Sequence, residues 1–264
     1  MGIPIYLSTG AFTGSRNGYN HRLAIDYAQE LECDGFEVLI FEDWYDRSEQ
    51  IIKDYRDINI PVVHADKVIG DLLSLDDEAV ARAYQIMQRN CVMAQAMGAK
   101  KMVIHIWGLP HSDKYHQRVY ERVGKLWDMA YSHGLDLLIE NSFTAVHTPL
   151  YHLECLMEMY PKLGFTLDTR FAQFYHELED ICSSEVWSRV RHIHISDYRG
   201  GYMEWEAAYP ILQPGQGDID FQTFYAYIKA IYSGSVTLEA PSFIKYGVDV
   251  DTLNASLRKI RSAL

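Results

Sequence analysis

Cysteine is scarce in this chain, and the few cysteines do not form a disulfide or metal-binding motif. Cys33, Cys91, Cys155 and Cys182 are the four cysteines, and they lie far apart without a CxxC pair. A small secreted domain stabilised by disulfides would need more of them at closer spacing. We therefore expect a reducing, cytoplasmic setting.

Long apolar runs and an excess of basic residues are also missing. No apolar run approaches the length of a membrane span, and the first residues carry neither a basic segment nor a small-residue cleavage site. The 24 basic residues are outnumbered by 36 acidic residues, which gives a net charge of −12. Because that charge opposes approach to phosphate backbones and anionic membranes, we expect neither nucleic acid nor a membrane as a partner.

The chain has no linker rich in Pro, Gly or Ser and no low-complexity tract, so we predict a single domain over residues 1–264. Strand-like and helix-like segments alternate eight times along it. This count in this length favours a (β/α)8 TIM barrel, with a doubly wound open sheet as the alternative. The predicted strands are Ile5–Thr9, Gly35–Phe41, Pro61–Ala65, Lys101–Ile106, Leu135–Glu140, Leu163–Asp168, Arg191–Asp197 and Ser235–Ala240.

The seventh predicted strand carries an unusual pattern of polar residues. It places His192, His194 and Ser196 on one face and isoleucines on the other. Three further apolar runs end on a single carboxylate, at Glu140, Asp168 and Glu239. In a barrel these four strand ends are neighbours, so we predict that Glu140, Asp168, His194 and Glu239 hold one divalent metal ion. Three oxygen donors and one nitrogen donor favour Mn²⁺, Co²⁺ or Mg²⁺, with Zn²⁺ as an alternative.

Each of these residues has a plainer interpretation when it is taken alone. A carboxylate at a strand end often caps the following helix, and a single histidine in a strand is often a buried structural residue. The joint occurrence at four consecutive strand ends is what favours a metal site. Other residues near strand ends are candidates for substrate contacts: Glu37, His64, His105, Trp107 and Arg170. Glu37 could instead pair with a neighbouring histidine, and Arg170 could either bind a carboxylate or phosphate or form a surface ion pair.

Several segments together resemble the xylose-isomerase-like barrel superfamily, which contains sugar isomerases and epimerases, inosose dehydratases and apurinic endonucleases. They are Leu137–Asn141, Leu167–Thr169, His194–Asp197, Gly215–Asp220 and Leu238–Glu239. The resemblance spans most of the chain and implies a metal ion at the four residues named above. In the epimerase branch it also implies that Glu140 and Glu239 exchange protons with the carbon next to a carbonyl.

The chain departs from this superfamily at two positions. Phe171 stands where many members have a histidine three residues after the aspartate of the sixth strand. The segment Leu212-Gln213-Pro214 lacks a histidine that endonucleases use for additional zinc. Both departures, with the negative charge, argue against a nuclease similar to the apurinic endonucleases. Phe171 also weakens the case for a standard ketose epimerase, because the histidine at that position usually contacts the substrate in the superfamily.

We therefore predict a metal-dependent sugar or polyol isomerase or epimerase that transfers a proton next to a carbonyl through a metal-stabilised enediolate. A lyase or dehydratase on a keto-sugar or keto-inositol, similar to inosose dehydratases, is the alternative because it shares the enediolate. A non-catalytic sugar-binding barrel is a third hypothesis. The oligomeric state is left open, a homo-oligomer included.

Overall fold

A computed structural model describes residues 2–108, 112–244 and 247–264. Short, almost wholly buried strands alternate with helices along these residues. Continuous apolar runs such as Leu137–Ile139 produce such strands, because a strand covered on both faces needs apolar side chains on both. The strands are β1 Ile5–Ser8, β2 Phe36–Leu39, β3 Val62–His64, β4 Lys101–Ile104, β5 Asp136–Glu140, β6 Gly164–Asp168, β7 Val190–Ile195 and β8 Ser235–Leu238.

These strands form a closed parallel barrel in chain order, because β8 pairs with β1 through Ile5 opposite Val236. The predicted (β/α)8 barrel is confirmed, and the open sheet is wrong. Each predicted strand matches an observed one within three residues at either end. The pairing of β6 with β7 changes register between Phe165 and Thr166, and beyond that point Asp168 lies opposite His194.

Helices surround the barrel, and the connections after β3 and β6 carry two of them each. The second helix after β6 is short, because Ser184 has extended backbone and a 3-10 helix follows at Glu185–Arg189. The α-helices of the described residues are α1 Arg22–Asp26, α2 Ser48–Asp54, α3 Val68–Leu73, α4 Asp77–Ala96, α5 His116–Ser132, α6 Pro149–Met159, α7 Thr169–Phe174, α8 Leu178–Ser183, α9 Phe221–Ile231 and α10 Val250–Ala263. None of them combines the length and the apolar character that crossing a membrane requires.

Local signals in the sequence set the ends of the longer helices. Asp76 caps α4 by accepting a hydrogen bond from the backbone N–H of Ala79 at 3.0 Å, as expected for an N-cap aspartate. Pro149 occupies the first position of α6, where its missing N–H has no cost. Gly134 follows α5 with a φ of 71°, a conformation that favours glycine.

One buried carboxylate fixes the loop that follows β5. Asp113 is fully buried and accepts hydrogen bonds from the backbone N–H groups of Ala145, Val146 and His147 at 2.9, 2.8 and 3.0 Å. His152 lies 3.3 Å away on α6. Although burial favours the neutral acid, these hydrogen bonds hold the pKa of Asp113 well below its usual value. The loop beside the mouth of the barrel is therefore held by a charged group.

Candidate metal centre

Four side chains from consecutive strand ends meet at the carboxyl end of the barrel. Glu140, Asp168, His194 and Glu239 each place one donor atom so that all four atoms lie within 4.8 Å of one another. His194 Nδ1 lies 2.9 Å from Glu140 Oε1 and 2.9 Å from Glu239 Oε2. The structure thus brings together the four residues that the sequence analysis chose as metal ligands.

Strand geometry explains why these side chains point to a common centre. Side chains alternate between the two faces of a strand, so His192 and His194 both face the barrel interior while Ile193 and Ile195 face the helices. Glu140 and Asp168 are the last residues of β5 and β6, and Glu239 directly follows β8. In this fold the residues at the carboxyl ends of the strands surround the top of the barrel axis.

Asp168 has two functions in this arrangement. Its Oδ1 accepts a hydrogen bond from the backbone N–H of Phe171 at 2.8 Å, so it caps α7 as the plainer interpretation predicted. Its Oδ2 is buried and has no hydrogen-bond partner. A buried carboxylate oxygen without a partner is costly, and a cation at the centre of the four donors would remove that cost. The residues present therefore fit a divalent ion.

The spacing of the donors agrees with this fit. Ligands at neighbouring positions of an octahedral ion, each at about 2.1 Å, are about 3 Å apart. His194 Nδ1 lies 2.9 Å from one oxygen of Glu140 and 2.9 Å from one of Glu239. Three carboxylates and one imidazole also match the donor types of the hard and borderline dications predicted above.

Glu37 was predicted as a substrate contact, but it lies deep inside the barrel, below the four-donor centre. It is 0% exposed and contacts the far side of His194, whose Nε2 donates to its Oε1 and Oε2 at 3.0 and 3.2 Å. His192 Nε2 donates to Glu37 Oε2 at 2.8 Å. Since Nε2 of His194 is occupied by Glu37, Nδ1 is the nitrogen that faces the four-donor centre.

His64 and His105 both contact the other oxygen of Glu140. His64 Nε2 lies 3.1 Å and His105 Nε2 2.5 Å from Glu140 Oε2, while His64 Nδ1 donates to the carbonyl oxygen of Ala65 at 2.7 Å. These three donor atoms form a second compact group. The two histidines therefore hold Glu140 in place, and His105 also lines a cavity above the site.

The charges of this buried cluster shift the pKa values of its members. Although burial favours the neutral ring, the carboxylates of Glu37, Glu239 and Glu140 raise the pKa of His194 well above its usual value. Burial alone would raise the pKa of Glu140, but His105 and His194 hold it well below the usual range. Burial would likewise raise the pKa of Glu239, but the positive charges of His194 and Lys67 lower it to about 2.

Asp168 and His105 shift in the opposite sense, because burial dominates. Burial, with the charges of Glu140 and Glu239, raises the pKa of Asp168 to about 7 although Arg170 opposes it. Burial lowers the pKa of His105 to about 4 although Glu140 opposes it, so the ring is neutral at neutral pH. The site thus combines ionised glutamates with a neutral histidine and an aspartate that titrates near neutrality.

Two cavities that share lining residues open above the cluster. The larger has a volume of about 640 Å³ and is lined by Glu239, Lys67, Arg170 and Phe171 among others. The smaller, of about 370 Å³, is lined by His105, Trp107, Arg170, Lys67 and Asp71 among others. Of the predicted substrate contacts, His105, Trp107 and Arg170 therefore line a cavity, whereas His64 and Glu37 lie below it. Lys67 also lines both cavities and was not predicted, although its position just after β3 was a usable signal.

The glycine-rich segment after β7 forms a loop held by a side chain. The carboxylate of Asp197 accepts hydrogen bonds from the backbone N–H groups of Gly215 and Gly217, both at 2.8 Å, and of Ile219 at 3.2 Å. A Cβ at Gly217 would lie 2.4 Å from the carbonyl oxygen of Tyr198, so only glycine fits there. Because these amides are already occupied, this loop does not form a phosphate cradle.

A family profile described as a xylose isomerase-like TIM barrel matches residues 25–262, which is most of the chain. The chain belongs to this family. Comparison with curated protein sequences returns no match. The resemblance seen in the sequence motifs is thereby confirmed, and the closed barrel agrees with it.

Solved structures of similar fold cover nearly the whole chain. The 3-keto-D-glucoside 4-epimerase from E. coli is 18% identical over 98% of this chain and 99% of that chain, with a TM-score of 0.69. The D-allulose 3-epimerase from Methylomonas sp. in complex with D-allulose is 16% identical over 99% and 97%, with a TM-score of 0.74. A Thermus thermophilus protein whose crystals were soaked with zinc chloride is 21% identical over 99% and 98%, with a TM-score of 0.72. At these identities the likeness shows the fold alone.

Proposed function

We propose that this xylose isomerase-like barrel is a divalent-metal-dependent isomerase or epimerase of a sugar or polyol, and that it transfers a proton next to a carbonyl. The observation that carries the proposal is the cluster of Glu140, Asp168, His194 and Glu239, whose donor atoms lie within 4.8 Å of one another beside an open cavity. Sugar epimerases among the proteins of similar fold support it.

A divalent ion bound by Glu140, Asp168, His194 and Glu239 would supply the positive charge that stabilises an enediolate derived from the sugar. Mn²⁺, Co²⁺ and Mg²⁺ suit this donor set, and Zn²⁺ is the alternative. The unpartnered Oδ2 of Asp168 supports the presence of a cation at this point.

Glu140 and Glu239 are the groups that we assign to proton transfer. The pKa values of both are held below the usual range, so both are ionised at neutral pH and can act as bases. The side chain of Glu239 is 15% exposed and lines the cavity, whereas Glu140 is fully enclosed by His64, His105 and His194. Glu239 is thus the more accessible base and would take the proton from the carbon. Glu140, whose position is fixed by three histidines, would deliver a proton to the opposite face of that carbon after taking one up from solvent.

The test is solvent-proton exchange in heavy water. Metal-loaded protein is incubated with a panel of ketoses and keto-inositols, and deuterium at the carbon next to the carbonyl is measured by mass spectrometry. We expect exchange with at least one sugar. Glu140→Gln and Glu239→Gln should each lower the exchange rate by about 10²-fold or more, which is on the order of the effect of a missing general base. Glu154→Gln, an exposed change on α6, is the matched control and should retain full exchange.

Each outcome of this test separates the hypotheses. Full exchange in either site variant would remove that glutamate from the reaction. An absorbing enone product formed by elimination would favour the dehydratase. Metal binding without exchange into any sugar of the panel would favour a non-catalytic sugar-binding barrel.

A further inference from the structure

The wall of the larger cavity is basic although the protein is strongly acidic. Arg16, Lys67 and Arg170 line it, and Glu239 is the only acidic residue among its described lining residues. The whole chain, by contrast, has 24 basic and 36 acidic residues. A cavity with a basic wall attracts anionic ligands, even on a protein whose net charge is negative.

Arg170 is the most deeply buried of these cations. It is 5% exposed, and its guanidinium carbon lies 4.3 Å from the ring centre of Phe171 and 5.1 Å from that of Phe143. Its Nη1 donates to the carbonyl oxygen of Ala208 at 3.2 Å, while its Nε is buried and has no hydrogen-bond partner. The aromatic rings fix the plane of the guanidinium and leave part of its hydrogen-bonding capacity unused.

No carboxylate of the described residues lies within ion-pair distance of Arg170. Asp168, two residues away along the chain, already binds the backbone N–H of Phe171 through its Oδ1. A buried guanidinium without a paired anion is expensive. It is retained at low cost where a ligand supplies the anion.

Lys67 adds a second cation at the same place. It lines both cavities together with Arg170, and its Nζ lies 4.0 Å from Glu239 Oε1 with the side chain about half exposed (48%). A long interaction of this kind leaves the ammonium group free to turn towards a ligand. Arg16, whose guanidinium lies over the ring of Phe243 at 5.4 Å, provides charge at the outer rim.

We propose that the substrate carries an anionic group, a carboxylate or a phosphate, which Arg170 binds with the help of Lys67. This proposal rests on the proposed function, because it places the sugar between the strand-end cluster and the cationic wall. A guanidinium suits both groups, since it can donate two parallel hydrogen bonds to either. Neutral sugars would bind the same cavity more weakly.

The test is calorimetric binding of unreactive polyols to the Mn²⁺-loaded protein. D-glucitol, D-gluconate and D-glucitol 6-phosphate share a six-carbon chain and lack the carbonyl that the proposed reaction requires. We expect one of the two anionic polyols, or both, to bind roughly 10- to 100-fold more tightly than D-glucitol, which is the range of a charged hydrogen-bonded contact. The polyol that binds more tightly, D-gluconate or D-glucitol 6-phosphate, identifies the anionic group as a carboxylate or a phosphate.

Arg170→Gln should remove this preference, so that the variant binds the anionic polyols no more tightly than it binds D-glucitol. Arg56→Gln is the matched control, because it removes the same charge from an exposed position between α2 and β3, at the opposite end of the barrel. Lys67→Gln changes a half-exposed side chain and should weaken the preference, which gives a second measurement if Arg170→Gln does not fold.

The proposal would be overturned if the three polyols bound equally well. It would also be overturned if the anion preference survived in Arg170→Gln. If that variant does not fold, survival of the preference in Lys67→Gln would have the same meaning. So would the absence of binding by all three. These results would leave the isotope exchange at Glu140 and Glu239 untouched. Conversely, an anion preference without exchange into any sugar would refute the proposed reaction and leave the binding site in place.

Discussion

Replacing Glu37 by glutamine should weaken metal binding although Glu37 is not a predicted ligand. The change keeps the shape of the side chain and removes its charge. Glu37 accepts from His194 Nε2 at 3.0 and 3.2 Å and from His192 Nε2 at 2.8 Å. An anion behind a metal-binding histidine fixes the tautomer of the ring and makes its other nitrogen a stronger ligand.

The magnitude follows from the burial and from the bonds that glutamine can retain. Partners behind a metal-binding histidine typically contribute about 10–100-fold to affinity. Because the amide oxygen still accepts from His194, we expect Glu37→Gln to lie near the lower end, roughly tenfold or 1.4 kcal/mol. His192 can accommodate the amide N–H₂ by moving its proton to Nδ1, which lies 2.8 Å from Ser235 Oγ. Glu37→Ala removes both acceptors and should lose roughly 100-fold.

The assay is competition for Mn²⁺ with a chromophoric chelator at pH 7, alongside the thermal midpoint of each metal-free variant. Glu154→Gln serves as the control, with the affinity of the unmodified protein expected. If Glu37→Gln and Glu37→Ala both bind Mn²⁺ as tightly as the unmodified protein, Glu37 does not act through His194 and the reasoning is refuted. A large drop in the thermal midpoint at unchanged affinity would assign Glu37 to stability alone.

Three further changes test other parts of the structure. His194→Ala should lower the metal content of the purified protein below that of Glu154→Gln, as measured by elemental analysis. Asp113→Asn should cost about 3 kcal/mol in the free energy of unfolding at pH 7. The folded-state pKa of Asp113 is lowered, so the stability that its charge contributes is present above the unfolded pKa of about 3.9 and is lost as the pH falls. Urea unfolding should therefore show a smaller difference in stability between the unmodified protein and Asp113→Asn at pH 3 than at pH 7. A larger difference at pH 3 would contradict this cause. Gly217→Ala should destabilise by about 1–3 kcal/mol by chemical denaturation because its Cβ meets the carbonyl of Tyr198; an unchanged midpoint would mean that the loop can move.

The sequence predicted the barrel and the four clustered side chains because both depend on the order of elements along the chain. Alternating strands and helices require a parallel sheet, and the carboxyl ends of its strands share one edge. Glu140, Asp168 and Glu239 are at or just beyond strand ends, and alternation alone places His194 on the inner face. Local patterns sufficed for these features.

The contacts below and beside the cluster could not be predicted in the same way. Glu37 lies within β2, opposite Val62, and its depth in the barrel depends on the stagger between strands rather than on its own sequence. Its partners His192 and His194 are more than 150 residues away, separated by 155 and 157 positions. The free side of Arg170 likewise depends on how Phe143 and Phe171 pack around it.

The division of the cluster between the two halves of the chain has a consequence for how the protein comes to function. The four donors all follow α5, whereas Glu37, His64 and His105, which orient them, all precede it. A fragment containing only β5 to β8 would hold every donor and yet lack the partners that aim His194 and Glu140. During synthesis these partners are made before the donors, and Glu239 completes the donor set last, after β8. Binding of a cation by all four donors is therefore one of the last events of assembly.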